Sequence, residues 1–219
     1  MFGMNALRKE DGIQMQVLEE PRIVPDNKNI SITRQKKILL LVPKYNFSKD
    51  KYHDYTFPIG LGYVSSALKN AGYGVSCVNL NQIYGDVKDI VKEILDKDDY
   101  DVVCTGGNDF IYFTTKSMIE TVREHPSKPM FILAGPLLTH EPELIFKDLR
   151  PDFGVIGEGE ESIMELLNCI ERNGDLKQIE GIIYSDQIGK VIKTKRREPI
   201  RDINVLPFPD YESFGFDEH

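Results

Sequence analysis

The chain has 219 residues, 41% of them hydrophobic and 28% charged, a balance ordinary for a globular protein with one main core plus extensions. Its formal net charge of −8 argues against a general nucleic-acid binder. No apolar run approaches the ~20 residues that cross a bilayer, and the N-terminus lacks the apolar core of a signal peptide; a soluble, cytoplasmic protein with neither membrane nor nucleic-acid partners is expected.

Residues 1–34 are mixed and polar, with Pro21 and Pro25 and no sustained periodicity, which predicts a weakly ordered N-terminal arm. ILLLVP (38–43) is a continuous apolar run, the pattern of a strand covered on both faces. A polar, aromatic loop follows, 44–57, holding Tyr45, His53, Asp54 and Tyr55. In PIGLGYVSSALKNAGY (58–73), Leu61, Val64, Leu68 and Ala71 fall on one helix face, and Ala71-Gly72 closes the helix. The alternation then repeats. YGVSCVNL (73–80) predicts a strand, with a helix over 87–95; YDVVCT (100–105) predicts a strand ending in Gly106-Gly107, with a helix over 115–123. PMFILA (129–134) predicts a strand ending in Gly135-Pro136, with a helix over 142–149.

The fifth repeat, DFGVIGEGEESIMELL (152–167), is the stretch around which the rest is organised. A short apolar strand meets a turn of alternating glycine and glutamate (Gly157, Glu158, Gly159, Glu160), then a helix whose Ile163, Leu166, Leu167 and Ile170 share a face. Carboxylates at a helix start are favoured by the helix dipole, so a well-capped connection explains this turn as readily as a ligand site does. Position in the chain raises the second reading. Five strands alternating with five helices predict an α/β fold over residues 35–173, a three-layer doubly wound parallel five-stranded sheet. The glycines at 106, 107, 135, 157 and 159 all follow strands, so they would line the one edge where such sheets bind ligands.

Beyond Gly174 the pattern changes. GIIYS (181–185) and KVIKT (190–194) around a turn over 186–189 predict a C-terminal β-hairpin. A basic run follows (Lys193, Lys195, Arg196, Arg197, Arg201), readable as a solvated face or as a site for an anionic partner. LPFPD (206–210) suggests an extended linker, so residues 174–219 read as hairpin and linker. Cys77, Cys104 and Cys169 lie in apolar stretches and are expected to be reduced core cysteines.

Several chemistries are disfavoured. Gly60 and Gly62 are followed by Ser65 where a dinucleotide fingerprint wants a third glycine, and Glu158, Glu160 and Glu161 would repel a pyrophosphate. There is no G-x-S-x-G elbow, no C-x-x-C and no H-E-x-x-H. The four histidines are scattered; His53 beside Asp50 and Asp54 reads as a surface residue, and His140 after Thr139 as part of a helix cap. No self-sufficient catalytic centre is visible.

PxGLGYxxxxLxxxGY after the first strand, AGP after the fourth, DFGVIGEGEE at the fifth, then IEGIIY and INVLPFPD, in that order, resemble the N-terminal cobalamin-binding-type domain of radical S-adenosylmethionine enzymes, over residues 37–211. The resemblance implies a flavodoxin-like fold holding cobalamin over the carboxyl edge of the sheet, with its nucleotide tail in a crevice along the strands. The contacts it implies are Tyr45 and Pro58 in the first loop, Thr105 and Gly106, Gly135 and Pro136, and Gly157, Glu158 and Gly159. Cobalamin carries one phosphate and an amide-edged ring, which backbone groups in glycine turns can bind without a cationic pocket.

The motif Asp-x-His-x-x-Gly is absent, so any cobalamin is expected base-off, without that histidine ligand. The C-x-x-x-C-x-x-C that would hold a 4Fe–4S cluster for S-adenosylmethionine is absent too. Cluster, S-adenosylmethionine and catalysis are therefore expected in a radical S-adenosylmethionine domain supplied in cis or in trans, in a methyltransferase-like parent enzyme. On this reading the chain binds and presents the corrinoid without turning over. Relatives often carry Gly-Gly-Pro-His where this chain has Ala134-Gly135-Pro136-Leu137. That difference, with Phe110, Tyr112 and Phe113 available to fill the edge, keeps a second class open: a structural or substrate-docking module without cobalamin. A nucleotide-sugar enzyme on the same sheet is a third, with no phosphate cradle to support it.

Overall fold

In the computed structural model, residues 36–45 and 56–216 are described. The expected N-terminal arm and the His53 neighbourhood lie outside the described residues. Five parallel strands form as the apolar runs predict: β1 (Lys37–Val42), β2 (Gly74–Asn79), β3 (Val102–Gly106), β4 (Met130–Ala134) and β5 (Phe153–Val155). Between and after them come α1 (Ile59–Asn70), α2 (Val87–Lys97), α3 (Tyr112–Glu124), α4 (Pro136–His140), α5 (Pro142–Leu149) and α6 (Glu160–Glu171). The short helix α4 was not expected; Gly135 at φ 83° turns the chain and Pro136 starts it.

The hairpin, β6 (Ile182–Ser185) and β7 (Val191–Lys193), joins the same sheet, with β6 antiparallel to β5. The sheet therefore has seven strands, in the order β2-β1-β3-β4-β5-β6-β7. Five parallel strands were expected, and the hairpin removes what would have been an open edge at β5. Such an edge invites pairing with other chains.

β1 sets the layers. Ile38, Leu40 and Val42 pack to one side with Leu61, Val64 and Leu68 of α1 and Ile163, Leu166 and Leu167 of α6. Leu39 and Leu41 pack to the other with Ile90 and Val91 of α2 and Met118 of α3. Alternate residues of a strand point to opposite faces, so a strand covered on both sides must be apolar at every position. Cys104 is buried, and enclosure pushes its thiol well above the usual range; Cys77 is pushed up to about 11, chiefly by burial, and both thiols are free.

The segment expected as a linker is extended, and it lies along α1. Ser66 Oγ donates to the Phe208 carbonyl at 2.6 Å and the Asp210 amide to the Gly62 carbonyl at 3.1 Å. Asp210 Oδ2 accepts from Ser65 Oγ at 2.5 Å and pairs with Lys69 Nζ at 2.7 Å. Phe57 stacks on Tyr211 at 4.6 Å and meets Phe214 edge-on at 6.1 Å. Gly62 makes this possible, since a Cβ there would fall 2.8 Å from the Phe57 ring and 3.2 Å from Pro209.

Two predictions follow from this packing. At Gly154 on β5 a Cβ would fall 2.5 Å from both Ile183 and Leu138, so Gly154→Val should lower unfolding stability by about 1–3 kcal/mol in denaturant titrations. Burial alone would raise the Asp210 carboxyl; Lys69, Ser65 and Ser213 outweigh it and hold it below the ordinary range. A carboxyl depressed by folding stabilises fully above its unfolded pKa, and that contribution disappears as pH falls through the folded value. Asp210→Asn should therefore cost about 1–2 kcal/mol near neutrality and flatten the acid limb of a stability-versus-pH curve below about pH 4.

Candidate functional site

The carboxyl ends of β1, β3, β4 and β5 form one rim, and its geometry comes from glycine. Gly106 pairs with Ala134 across β3 and β4, and a Cβ on Gly106 would meet the Ala134 backbone at 3.3 Å. Gly135, at φ 83°, passes so close to the next turn that a Cβ would fall 2.6 Å from the Gly107 nitrogen. Leu137 N–H donates to the Gly107 carbonyl at 2.9 Å and locks the two turns together. Beyond β5, Gly157 adopts φ 86° and its amide donates to Thr139 Oγ1 at 3.0 Å. A Cβ at Gly157 would meet nothing within 4 Å, so this turn borders open space.

The basic run after β7 comes back over that turn as a strap. Gly181 N–H donates to the Lys195 carbonyl at 2.7 Å, and Lys195 pairs with Glu180 at 2.8 Å. Arg197 reaches the head of α6: Nε donates to Ser162 Oγ at 2.8 Å, Nη1 to Glu161 at 3.0 Å, and Nη2 to Glu165. Ile200 N–H donates to Glu158 Oε2 at 2.6 Å. The reading of this run as a solvated face holds for Lys195 and Arg196, whereas Arg197 is largely enclosed and matched to the acidic turn. Strap and turns border a cavity of about 280 Å³, with Gly135, Pro136, Thr139, His140, Gly157 and Glu158 on one side and residues 196–199 on the other.

The nine residues expected to contact a cofactor separate into three groups. Gly135, Pro136, Gly157 and Glu158 share the cavity. Gly106 and Gly159 sit on the same rim behind it, Gly159 against Val64 of α1. Tyr45, Pro58 and Thr105 hold the β1 side. Tyr45 N–H donates to Asn81 Oδ1 at 2.8 Å, and its ring meets Phe110 edge-on at 6.0 Å. The Pro58 carbonyl accepts from Gly62 N–H at 2.9 Å as α1 begins. Thr105 is fully enclosed and its hydroxyl donates to the Leu41 carbonyl at 2.8 Å, so it shapes the floor of the rim.

Thr139, His140 and the strap were not among the expected site residues. Thr139 braces the β5 turn through Gly157 and does not cap a helix, and exposed His140 Nδ1 lies 3.4 Å from Asp109. The one available signal was charge: four glutamates stand within residues 158–165, and from the basic run Arg197 meets two of them, Glu161 and Glu165.

The opposite end of the rim carries a buried lysine. Lys44 Nζ donates to the Ile83 carbonyl at 2.6 Å and to that of Gly85 at 3.1 Å. Burial lowers its pKa, with Asp86 opposing. Glu160, first residue of α6, is buried too, and its carboxyl is raised mainly by that burial. The aromatics that could have plugged the edge do not. Phe110 and Phe113 are 68% and 79% exposed, and the Tyr112 hydroxyl is hydrogen-bonded to Asp148. Leu137 is buried in the core on the α2–α3 side of the sheet. Among the described residues no three His, Cys, Asp or Glu side chains group to hold a metal ion, and no helix is long and apolar enough to cross a membrane.

Comparison with known proteins bears on this rim. Residues 49–167 match the family model of the B12 binding domain. The chain is 26% identical over 188 residues to an uncharacterized methyltransferase of Pyrococcus horikoshii, PH0819, covering 84% of this chain and 40% of that protein. The radical S-adenosylmethionine methyltransferase TsrM from Kitasatospora setae, solved with cobalamin and an iron–sulfur cluster bound, superposes with a TM-score of 0.62 at 20% identity, over 74% of this chain and 31% of that one. The cobalamin-dependent S-adenosylmethionine radical enzyme OxsB, with aqua-cobalamin bound, gives a TM-score of 0.66 at 18% identity, over 82% and 25%. At these identities the two structures share the fold. The chain spans less than half the length of each of these proteins.

The strap generates a prediction of its own. Arg197→Ala should cost about 1–2 kcal/mol of stability, because it leaves Glu161 and Glu165 without a partner at the head of α6. Limited proteolysis should then cut within residues 195–201, and Arg197→Lys should restore protection only in part, since a single ammonium nitrogen lacks the spread, planar donors that reach Ser162, Glu161 and Glu165 together.

Proposed function

The chain belongs to the B12-binding domain family, and we propose that it binds cobalamin over the carboxyl rim of its sheet and presents it to a radical S-adenosylmethionine domain. The observation that carries this reading is an edge left open by the described side chains: Phe110 and Phe113 are largely exposed, Leu137 is in the core, and Gly157 borders free space. Had those rings packed across the strand ends, the reading as a cofactor-free scaffold would have been preferred.

The rim's chemistry fits the proposed ligand. Glycine at 106 and 135 lets two turns close on each other, and Gly157 borders open space, so a ring there would meet backbone with no Cβ in the way. The acidic turn is largely partnered from within, Glu158 by the Ile200 amide and Glu161 and Glu165 by Arg197. A mostly uncharged ring therefore meets little net repulsion. In this reading Tyr45 and Pro58 border the ring from the β1 side, Gly106, Gly135 and Pro136 support it, and Gly157, Glu158 and Gly159 meet it at β5. In this reading the cobalamin would be held base-off, without a histidine from an Asp-x-His-x-x-Gly motif.

Cobalamin when bound would supply a carbon–metal bond able to carry a methyl group; such chemistry belongs to cofactors, and the protein's part is binding and orientation. The cluster and S-adenosylmethionine would sit in the partner domain, and a methyl transfer by the whole enzyme is part of the same proposal. PH0819, TsrM and OxsB support it, being by name methyltransferases or cobalamin-dependent radical enzymes.

Titration with hydroxocobalamin tests the binding step. A saturable shift of the corrin spectrum with retention through desalting is expected. An unshifted spectrum with loss of all corrinoid on desalting would overturn the proposal. Gly135→Ala, which forces a Cβ against the Gly107 backbone, should weaken binding by about tenfold or more and lower stability by about 1–3 kcal/mol.

A further inference from the structure

A second hollow lies at the amino end of the sheet and shares no residue with the rim cavity. Its volume is about 160 Å³, set between the last turns of α3, the start of β4 and the chain that joins α5 to β5. Val122 and Phe131, both buried, line it with apolar surface, and the exposed residues Arg123, Lys128, Arg150 and Asp152 border it.

Three cations gather here without a carboxylate to pair with them. The chain carries 35 acidic residues against 27 lysines and arginines, so partners are plentiful. Lys88, Lys92 and Lys97 on α2 and Lys147 on α5 all have one. Among the described residues Arg123, Lys128 and Arg150 form no ion pair. Asp152 borders the same hollow, yet its Oδ2 accepts from the Phe131 amide at 2.7 Å. Arg123 is anchored by Nη2, which donates to the Arg150 carbonyl at 2.8 Å, and the rest of its donor fork is left over.

The helix dipole accounts for Arg123 in the last turn of α3. It does not account for Lys128, which lies in the turn beyond, or for the backbone that carries two of the cations. Lys128 at φ 43° and Arg150 at φ 53° are left-handed, two of the three non-glycine residues so placed among the described residues. Glycine takes that conformation without a Cβ penalty. Left-handed residues with full side chains gather at ligand clamps, and these two border one hollow.

We propose that this hollow binds inorganic phosphate as its hydrogen-bearing dianion, with Arg123, Lys128 and Arg150 meeting the charge and Asp152 accepting the remaining proton in a hydrogen bond. Three cations against one carboxylate leave a surplus of two positive charges, which a dianion balances. The volume suits one tetrahedral anion and little more. Asp152 supplies the selectivity. Its other oxygen accepts from the O–H of hydrogen phosphate, whereas sulfate and a fully ionised phosphate ester carry no such proton and meet only its repulsion.

Isothermal titration calorimetry on the full chain tests this, at about pH 8 and fixed ionic strength, with inorganic phosphate, sulfate and glycerol phosphate as probes. Phosphate should bind saturably with a Kd of about 1 mM or tighter, and the other two at least about tenfold more weakly. Arg150→Gly and Lys128→Gly each remove a cation while easing a left-handed backbone, so thermal melts should not fall and phosphate should bind about tenfold more weakly. Asp152→Asn should bring sulfate to within about threefold of phosphate. Absence of saturable phosphate binding, or unchanged phosphate affinity in both glycine variants, would overturn the inference. Sulfate or glycerol phosphate binding as tightly as phosphate to the wild type would overturn it too, as would an undiminished preference for phosphate in Asp152→Asn.

Discussion

Five of the six residues of β1 are buried, and they carry apolar side chains to both faces of the sheet. That double burial dictates the remainder of the architecture. A strand with no polar face can sit only in the middle of a covered sheet, so β2 and β3 must flank it and helices must close over both sides. The chain runs outward from β1 in one direction to β2 and in the other through β3, β4 and β5, and the connections part company at the carboxyl end. A crevice there is a geometric consequence of the winding. The rim exists because of where β1 lies.

What distinguishes this rim from a dinucleotide site is the sign of its charge and the way that charge is balanced. A helix start crowded with glutamates is hostile to a pyrophosphate. Left alone it would also be poor for a neutral ligand, since the carboxylates would repel one another. The strap resolves this by placing Arg197 against Ser162, Glu161 and Glu165 and the Ile200 amide against Glu158. One guanidinium and one backbone amide thus partner three carboxylates, Glu161, Glu165 and Glu158. Glu160 is left facing inward, its carboxyl raised chiefly by burial.

The strap and the segment against α1 also explain why the residues after 174 are part of the domain's packing. β6 covers β5, with Gly154 making room for Ile183. Asp210 ties the chain to Ser65 and Lys69 of α1, and Phe57, just ahead of that helix, is sandwiched among Tyr211, Phe214 and Phe216. Hairpin and tail therefore brace the two ends of the rim, β5 at one side and the entry to α1 at the other.

The amino-acid sequence by itself determined the repeating strand–helix order, the parallel core and the row of glycines at strand ends, because these rest on local periodicity and on turn chemistry carried within a few residues. Resemblance of motif order pointed to the cofactor class. Only the tertiary structure decided that the hairpin extends the sheet, that Thr139 braces Gly157 from 18 residues away, and that Arg197 rather than solvent answers Glu161 across 36 residues. It also decided that Phe110 and Phe113 are exposed and not packed into the core, and that of four nearby glutamates Glu160 is the enclosed one. The physical reason is the same in each case. Which way a side chain faces, and which distant group meets it, is settled by how the layers close over one another, and no pattern along the chain encodes that.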